Sequence, residues 1–215
     1  GYTATLSHSG LAAGSTHTVT AKNAAGCVSL PAVVTLNAQP ITPIAIATPG
    51  SQTICSGNAP AISLTAIPGT AFNWTASATN VLGAVSGSGN SIAQILNTTG
   101  NVSGQVVYTI VPIANGCTGL PISVTVTVNP LPVAIANPAL QTICSGQRAN
   151  INLTSLSDSG VTYNWTVIQT GVSGAVSGSG NTISQILTAT GTVTGTADYT
   201  IVPVRNGCLG TPIHA

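Results

Sequence analysis

The six-residue stretch Gln-Thr-Ile-Cys-Ser-Gly occurs twice, at residues 52–57 and 141–146, and each copy leads through a tryptophan to a second cysteine. Cys55 lies 89 residues before Cys144, while Trp74 to Trp165 and Cys117 to Cys208 are both separated by 91. Between these markers, Val85 to Asn90 recurs unchanged at Val176 to Asn181. Gln94-Ile95-Leu96 returns at Gln185 to Leu187, and Tyr108 to Pro112 at Tyr199 to Pro203. Self-similarity at this period makes the chain a tandem array and limits each fold to a unit of about 90 residues. The drift of two residues places a small insertion in a loop before Trp165.

Three units follow from the alignment of the chain with itself. Residues 1–39 read as the second half of a unit, because Gly26-Cys27 falls on Gly116-Cys117 and Leu30-Pro31 on Leu120-Pro121. Residues 40–131 make one complete unit. Residues 132–215 make another whose final strand is missing, since the counterpart of Ser123 to Val128 is absent after Cys208. Pro40, Pro43 and Pro49, and then Pro130, Pro132 and Pro138, mark the junctions and favour extended, semi-rigid backbone there.

Within a unit the apolar residues alternate. Ile62, Leu64 and Ala66, then Phe72 and Trp74, then Val106, Tyr108 and Ile110, then Ile122, Val124, Val126 and Val128 each show period two. Glycine and asparagine punctuate the runs. This predicts antiparallel strands with one face to a core, and an all-β chain of two-sheet sandwiches. Valine, isoleucine and threonine suit a pleated, half-buried surface.

Polarity here comes from Ser, Thr, Asn and Gln. Only Lys22, Arg148, Arg205, Asp158 and Asp198 carry formal charge, and glutamate is absent. So few charges make no basic stripe, which argues against nucleic acid as a partner. No apolar run has the length of a membrane span, so membrane insertion is not expected. General acid–base chemistry needs placed carboxylates, and hard cations need several oxygens, some of them charged. Neither is available in repeated form. His8, His17 and His214 show no metal-ligand spacing, and a Ser-His-Asp triad would need groups that the repeats do not share. The chain therefore reads as non-enzymatic, without metal or cofactor. The glycine-rich Val-Ser-Gly-Ser-Gly-Asn segment lacks the lysine and helix of a phosphate cradle and reads as a flexible turn.

Five cysteines in two and a half units resolve into two pairs and a remainder. The expected bonds are Cys55 to Cys117 and Cys144 to Cys208, each a strap inside one unit at one pole, with Asn115-Gly116 forming a hairpin turn next to Cys117. Cys27 is left unpaired, its partner lying upstream of Gly1. Disulfides imply an oxidising compartment outside the cytosol. Phe72, Trp74 and Tyr108, with their counterparts Tyr163, Trp165 and Tyr199, recur at strand positions and are read as core. The alternative is a sugar-stacking platform.

The run Thr53 to Gly57, then Asn73-Trp74-Thr75, Tyr108-Thr109-Ile110, Asn115-Gly116-Cys117 and Val124 to Pro130 resembles the PKD-like, immunoglobulin-like repeats of very large Bacteroidetes surface adhesins. Thr18 to Cys27 resembles the end of a related repeat. The resemblance implies an extracellular, cell-surface protein exported by type IX secretion, in some cases a mobile adhesin of gliding motility. On that reading the chain is a stalk or filament segment. Its partners would be neighbouring repeats of the same chain, surface glycans, or other cell-surface and secretion-machinery proteins. A carbohydrate-binding module, and a fibre subunit completed by strand exchange, are the alternatives.

Overall fold

A computed structural model describes residues 12–37, 39–156 and 160–215; His8 and Asp158 lie outside them. Every regular element among the described residues is a strand. No helix there is long and apolar enough to cross a membrane.

The first strands among the described residues are a hairpin of β1 (Thr16–Val19) and β2 (Ala32–Thr35). The first full unit then comprises β3 (Ile46–Thr48), β4 (Ser51–Cys55), β5 (Ile62–Thr65), β6 (Ala71–Thr79), β7 (Val81–Leu82), β8 (Gly87–Ser88), β9 (Ser91–Ile92), β10 (Asn97–Thr98), β11 (Gly104–Ala114), β12 (Cys117–Thr118) and β13 (Ile122–Asn129). Its larger sheet has the order β4-β13-β11-β6-β8, with β12 paired to β11, and the smaller one the order β3-β5-β9. The core takes Ile62, Leu64 and Ile92 from the small sheet. It takes Phe72, Trp74, Val106, Tyr108, Ile110, Val124, Val126 and Val128 from the large one. The period-two sets read from the sequence are therefore the facing surfaces of a sandwich.

The second unit repeats the plan with β14 (Ala134–Asn137), β15 (Gln147–Ser155), β16 (Thr162–Thr170), β17 (Val172–Ser173), β18 (Gly178–Ser179), β19 (Thr182–Ala189), β20 (Thr196–Arg205), β21 (Cys208–Leu209) and β22 (Ile213–His214). Ile151, Leu153, Tyr163, Trp165, Ile183, Tyr199 and Ile201 form its own core. Here β22 supplies the first two residues of the strand that β13 completes in the preceding unit, pairing Thr200 with His214 and Ile201 with Ile213.

One connection decides where the cysteines go. β3 pairs antiparallel with β5 in the small sheet, and the chain then crosses at the cis peptide Thr48-Pro49 to run as β4 parallel to β13 in the large sheet. The entry segment thus travels the full height of the sandwich. Pro49, and Pro138 after β14, stand inside the units at this crossing rather than between units. Cys55 finishes opposite Asn129, the last residue of β13, at the pole where the chain leaves.

Candidate functional site at the unit junction

At the exit pole each residue of Gln52-Thr53-Ile54-Cys55-Ser56-Gly57 other than Thr53 has a local task. The Gln52 amide oxygen accepts from Ala61 N at 2.9 Å, and Ile54 is buried. Ser56 Oγ accepts from Thr98 N at 3.0 Å, and its own backbone N–H donates to Asn129 O at 2.8 Å. Gly57 N donates to Leu96 O at 2.8 Å, and Asn58 N closes a turn onto Cys55 O at 3.1 Å. The motif is a bracket that fixes one cysteine beside the end of the last strand.

At the entry pole the cysteine is set by turn chemistry. Asn206 and Gly207 both have positive φ, 49° and 78°, and Arg205 pairs with Cys208 across them. Positive φ at both central positions is the type I′ geometry that matches strand twist, and Asn-Gly is its preferred pair. Asn115-Gly116 repeats it with φ of 49° and 78°, Ala114 pairing with Cys117. Beyond each cysteine a glycine lies flush against the incoming chain. A Cβ on Gly210 would come within 1.8 Å of Pro132 O, and one on Gly119 within 2.0 Å of Pro43 O. No side chain fits there, so both hairpins rest on the linker that leads into their unit.

These two poles meet across the junction. Cys55 of the first full unit and Cys208 of the second form a disulfide with a Cα–Cα distance of 5.6 Å and a sequence separation of 153. Cys27, Cys117 and Cys144 are free thiols. The expected straps Cys55–Cys117 and Cys144–Cys208 are therefore corrected to one bond between units, and Cys27 is not the only free cysteine. Height is the physical reason. Cys55 lies at the Gly104 end of the large sheet and Cys117 beyond the Ala114 end. The 11 residues of β11, at about 3.3 Å each, hold them roughly 36 Å apart, whereas a disulfide tolerates a Cα–Cα separation of about 7 Å at most. The ten residues of β20 separate Cys144 from Cys208 in the same way.

The repeated aromatics lie in the cores. Trp74 and Trp165 are each 7% exposed, and Phe72, Tyr108, Tyr163 and Tyr199 are 3% or less. None offers a face for stacking on a sugar ring. A hydrogen-bonded clasp accounts for the other recurring residues. Tyr108 Oη donates to Gln94 Oε1 at 3.1 Å, Gln94 Nε2 donates to Val85 O at 2.8 Å, and Gln94 Oε1 also accepts from Val85 N at 2.9 Å. Trp74 Nε1 donates to the same Val85 O at 3.3 Å. Tyr199, Gln185, Val176 and Trp165 repeat the clasp, with corresponding distances of 2.8, 2.8, 2.9 and 3.2 Å. The polar ring atoms of Trp74, Tyr108, Trp165 and Tyr199 are thereby satisfied.

The glycine-rich segment is consequently no flexible turn. Gly87 lies in β8, paired with Trp74, and a Cβ there would lie 2.9 Å from the indole; Gly178 has the same distance to Trp165. Burial raises the pKa of Tyr108 and Tyr199. It also raises that of Tyr163, against a smaller lowering by a hydrogen bond with Ser155. The remaining polar groups do not converge. His214 Nδ1 meets Asp198 Oδ1 at 3.0 Å on an exposed edge, a type of pair that contributes little in water. His17 bonds Ser15 in the opening hairpin. Among the described residues no three His, Cys, Asp or Glu side chains gather as a metal site would need.

A family model agrees with the reading of repeated units. The PKD-like domain family model matches residues 52–132 and 141–215. No match was found among curated proteins. Solved structures with similarity include domains of titin, at 14% identity over 93% of this chain and 72% of that one, with a TM-score of 0.39. Fibronectin(III)-like modules of Clostridium thermocellum CbhA are 14% identical over 80% of this chain and 91% of that one, with a TM-score of 0.32. A chaperone–tip adhesion subunit complex of Acinetobacter baumannii Csu pili is 10% identical over 80% and 97%, with a TM-score of 0.30.

Proposed function

Because the chain belongs to the PKD-like domain family, we propose that it is a tension-resisting stalk segment of a secreted, cell-surface adhesin. The observation that carries this reading is the disulfide between units. It gives the junction two covalent connections, the linker Pro130 to Val133 and the bond from Cys55 to Cys208. A joint held at two points resists bending and twisting that a single linker would allow.

The bond also changes the path of a pulling force. From Pro40 the covalent route follows residues 40–55, crosses to Cys208 and leaves along 208–215, so residues 56–207 lie off it. The segments on the route are short and half of their residues are already in strands, so little length remains to be drawn from them. An extracytoplasmic setting supports the bond, since such bonds persist under oxidising conditions. Neutral polar surfaces keep the segment soluble with few charges. These mechanics serve a static adhesin and a gliding one alike, and they fit a chain exported whole to the cell surface. The strand-exchange alternative is less favoured, because in the first full unit the strand at the equivalent position, β13, comes from the same chain.

Force spectroscopy on the chain held at its two ends tests the reading. Oxidised, it should show no long unfolding extensions from residues 56–207. After reduction, the 153-residue separation should be released, adding roughly 500 Å of contour at about 3.3 Å per residue. Equal extension before and after verified reduction would exclude the proposed mechanics.

A further inference from the structure

We propose that Cys144 and Cys117 are the two halves of the same inter-unit bond, each facing a further PKD-like repeat. Cys144 would join the cysteine of an Asn-Gly-Cys hairpin in a following unit. Cys117 would join the cysteine of a Thr-Ile-Cys bracket in a preceding one. Every junction of the array would then be stapled.

The argument rests on internal equivalence. Cys144 occupies the repeat position of Cys55, and Cys117 that of Cys208, and those two counterparts are bonded to each other. Each free cysteine is also held as its bonded counterpart is. Around Cys144, the Gln141 amide oxygen accepts from Asn150 N at 3.0 Å and Ser145 Oγ accepts from Ala189 N at 3.0 Å. Gly146 N donates to Leu187 O at 2.8 Å, and Gln147 N donates to Cys144 O at 3.0 Å. These reproduce the bonds around Cys55. Four of the five bonds around Cys55 are thus present; the fifth, from Ser56 N to Asn129 O, has no counterpart because Gln141 to Cys144 has no strand partner comparable to β13. Cys117 follows the same type I′ turn as Cys208, with Gly119 seated on Pro43 as Gly210 is on Pro132. Burial follows the neighbour. Cys208 is buried beside the preceding unit whereas its counterpart Cys117 is half-buried, and bonded Cys55 is half-buried whereas its counterpart Cys144 is exposed. Preformed brackets lower the ordering cost of a bond that forms when the next unit arrives.

Bond formation removes two protons and two electrons from two thiols as one S–S bond forms. A disulfide oxidant accepts the electrons, is cleaved to two thiols and takes up the protons.

Residues 1–212 followed directly by a second copy of 122–215 give a test chain, because Pro212-Ile213 aligns with Pro121-Ile122 and the join completes the missing strand in register. The second copy carries Cys144→Ser, so a single Cys144 remains. After folding with glutathione disulfide, free thiols are blocked and the bonds mapped without reduction. The expected result is loss of label at Cys144, now linked to an Asn-Gly-Cys peptide, with Cys27 and Cys117 still labelled. Cys208→Ser in the first copy should then expose Cys55 and leave Cys144 bonded; Cys55→Ser should expose the first Cys208 with the same result for Cys144. A labelled Cys144 in a chain that keeps Cys55 bonded overturns the inference and leaves the stalk reading standing. Label appearing on Cys144 in the Cys208→Ser chain identifies an intra-unit bond and overturns it as well. Labelling of Cys55 in the unsubstituted chain removes both readings.

Discussion

Trp74 and Trp165 show how much of a unit can depend on one side chain. Each fills the space between sheets, donates to a backbone carbonyl and backs a glycine that could be nothing larger. Trp165→Ala should destabilise its unit by about 3–5 kcal/mol, as large-to-small core changes do, measured by urea denaturation. Tyr108→Phe is milder. Gln94 keeps its two bonds to Val85, and the loss of one hydrogen bond costs about 1 kcal/mol. Burial also gives the tyrosines a defined pH signature. Their folded pKa values lie above the ordinary value of 10.0, so the unfolded chain ionises first. Their contribution is fully present below pH 10 or so and is lost as pH rises further. Melting temperature should therefore fall on the alkaline side, with the phenolate absorbance of these three tyrosines rising at the unfolding transition rather than before it.

At the scale of the element, the hairpin β20–β21 matters more than its length suggests. Its two-residue turn sets the position of Cys208, and only residues at ease with positive φ can occupy Asn206. A β-branched residue there faces a penalty of about 1–3 kcal/mol. Asn206→Val should twist the hairpin off its seat on Pro132 and leave a measurable fraction of Cys55 reactive to thiol reagents after oxidation. Asn115→Val, in the other hairpin, should leave Cys55 bonded. The sequence showed these turns directly, because Asn-Gly before a repeated cysteine has one common geometry. The β3-to-β4 crossing was not legible in the same way. A short strand that changes sheets without reversing direction differs little in local pattern from one that ends at a turn, yet it carries Cys55 to the opposite pole.

For the whole molecule, the bond spans 153 residues, and the chain-entropy model gives such a closure on the order of 5 kcal/mol. Cys55→Ser and Cys208→Ser should each lower the thermal transition of the oxidised chain towards that of the reduced one. Cys117→Ser should leave it unchanged. This contrast separates a staple between units from a strap within one, since the strap would make Cys117 as costly to replace as Cys55. On the proposed mechanics, two sandwiches joined at two points should form a joint that loses stiffness on reduction.

Periodicity determined the all-β class, the tandem units, the facing surfaces of each sheet and the buried place of Trp74, Tyr108 and their counterparts, because alternation and recurrence are local properties that a strand expresses wherever it packs. The clasp through Gln94 and Gln185 was visible only as an unexplained recurrence. Cysteine pairing belonged to the tertiary structure alone. Spacing says which positions repeat, but only the height of β11, the crossing at Pro49 and the stacking of one unit's exit pole on the next unit's entry pole decide which sulfurs meet. A disulfide reports distance in space, and in a tandem array the nearest matching cysteine is in the neighbouring unit.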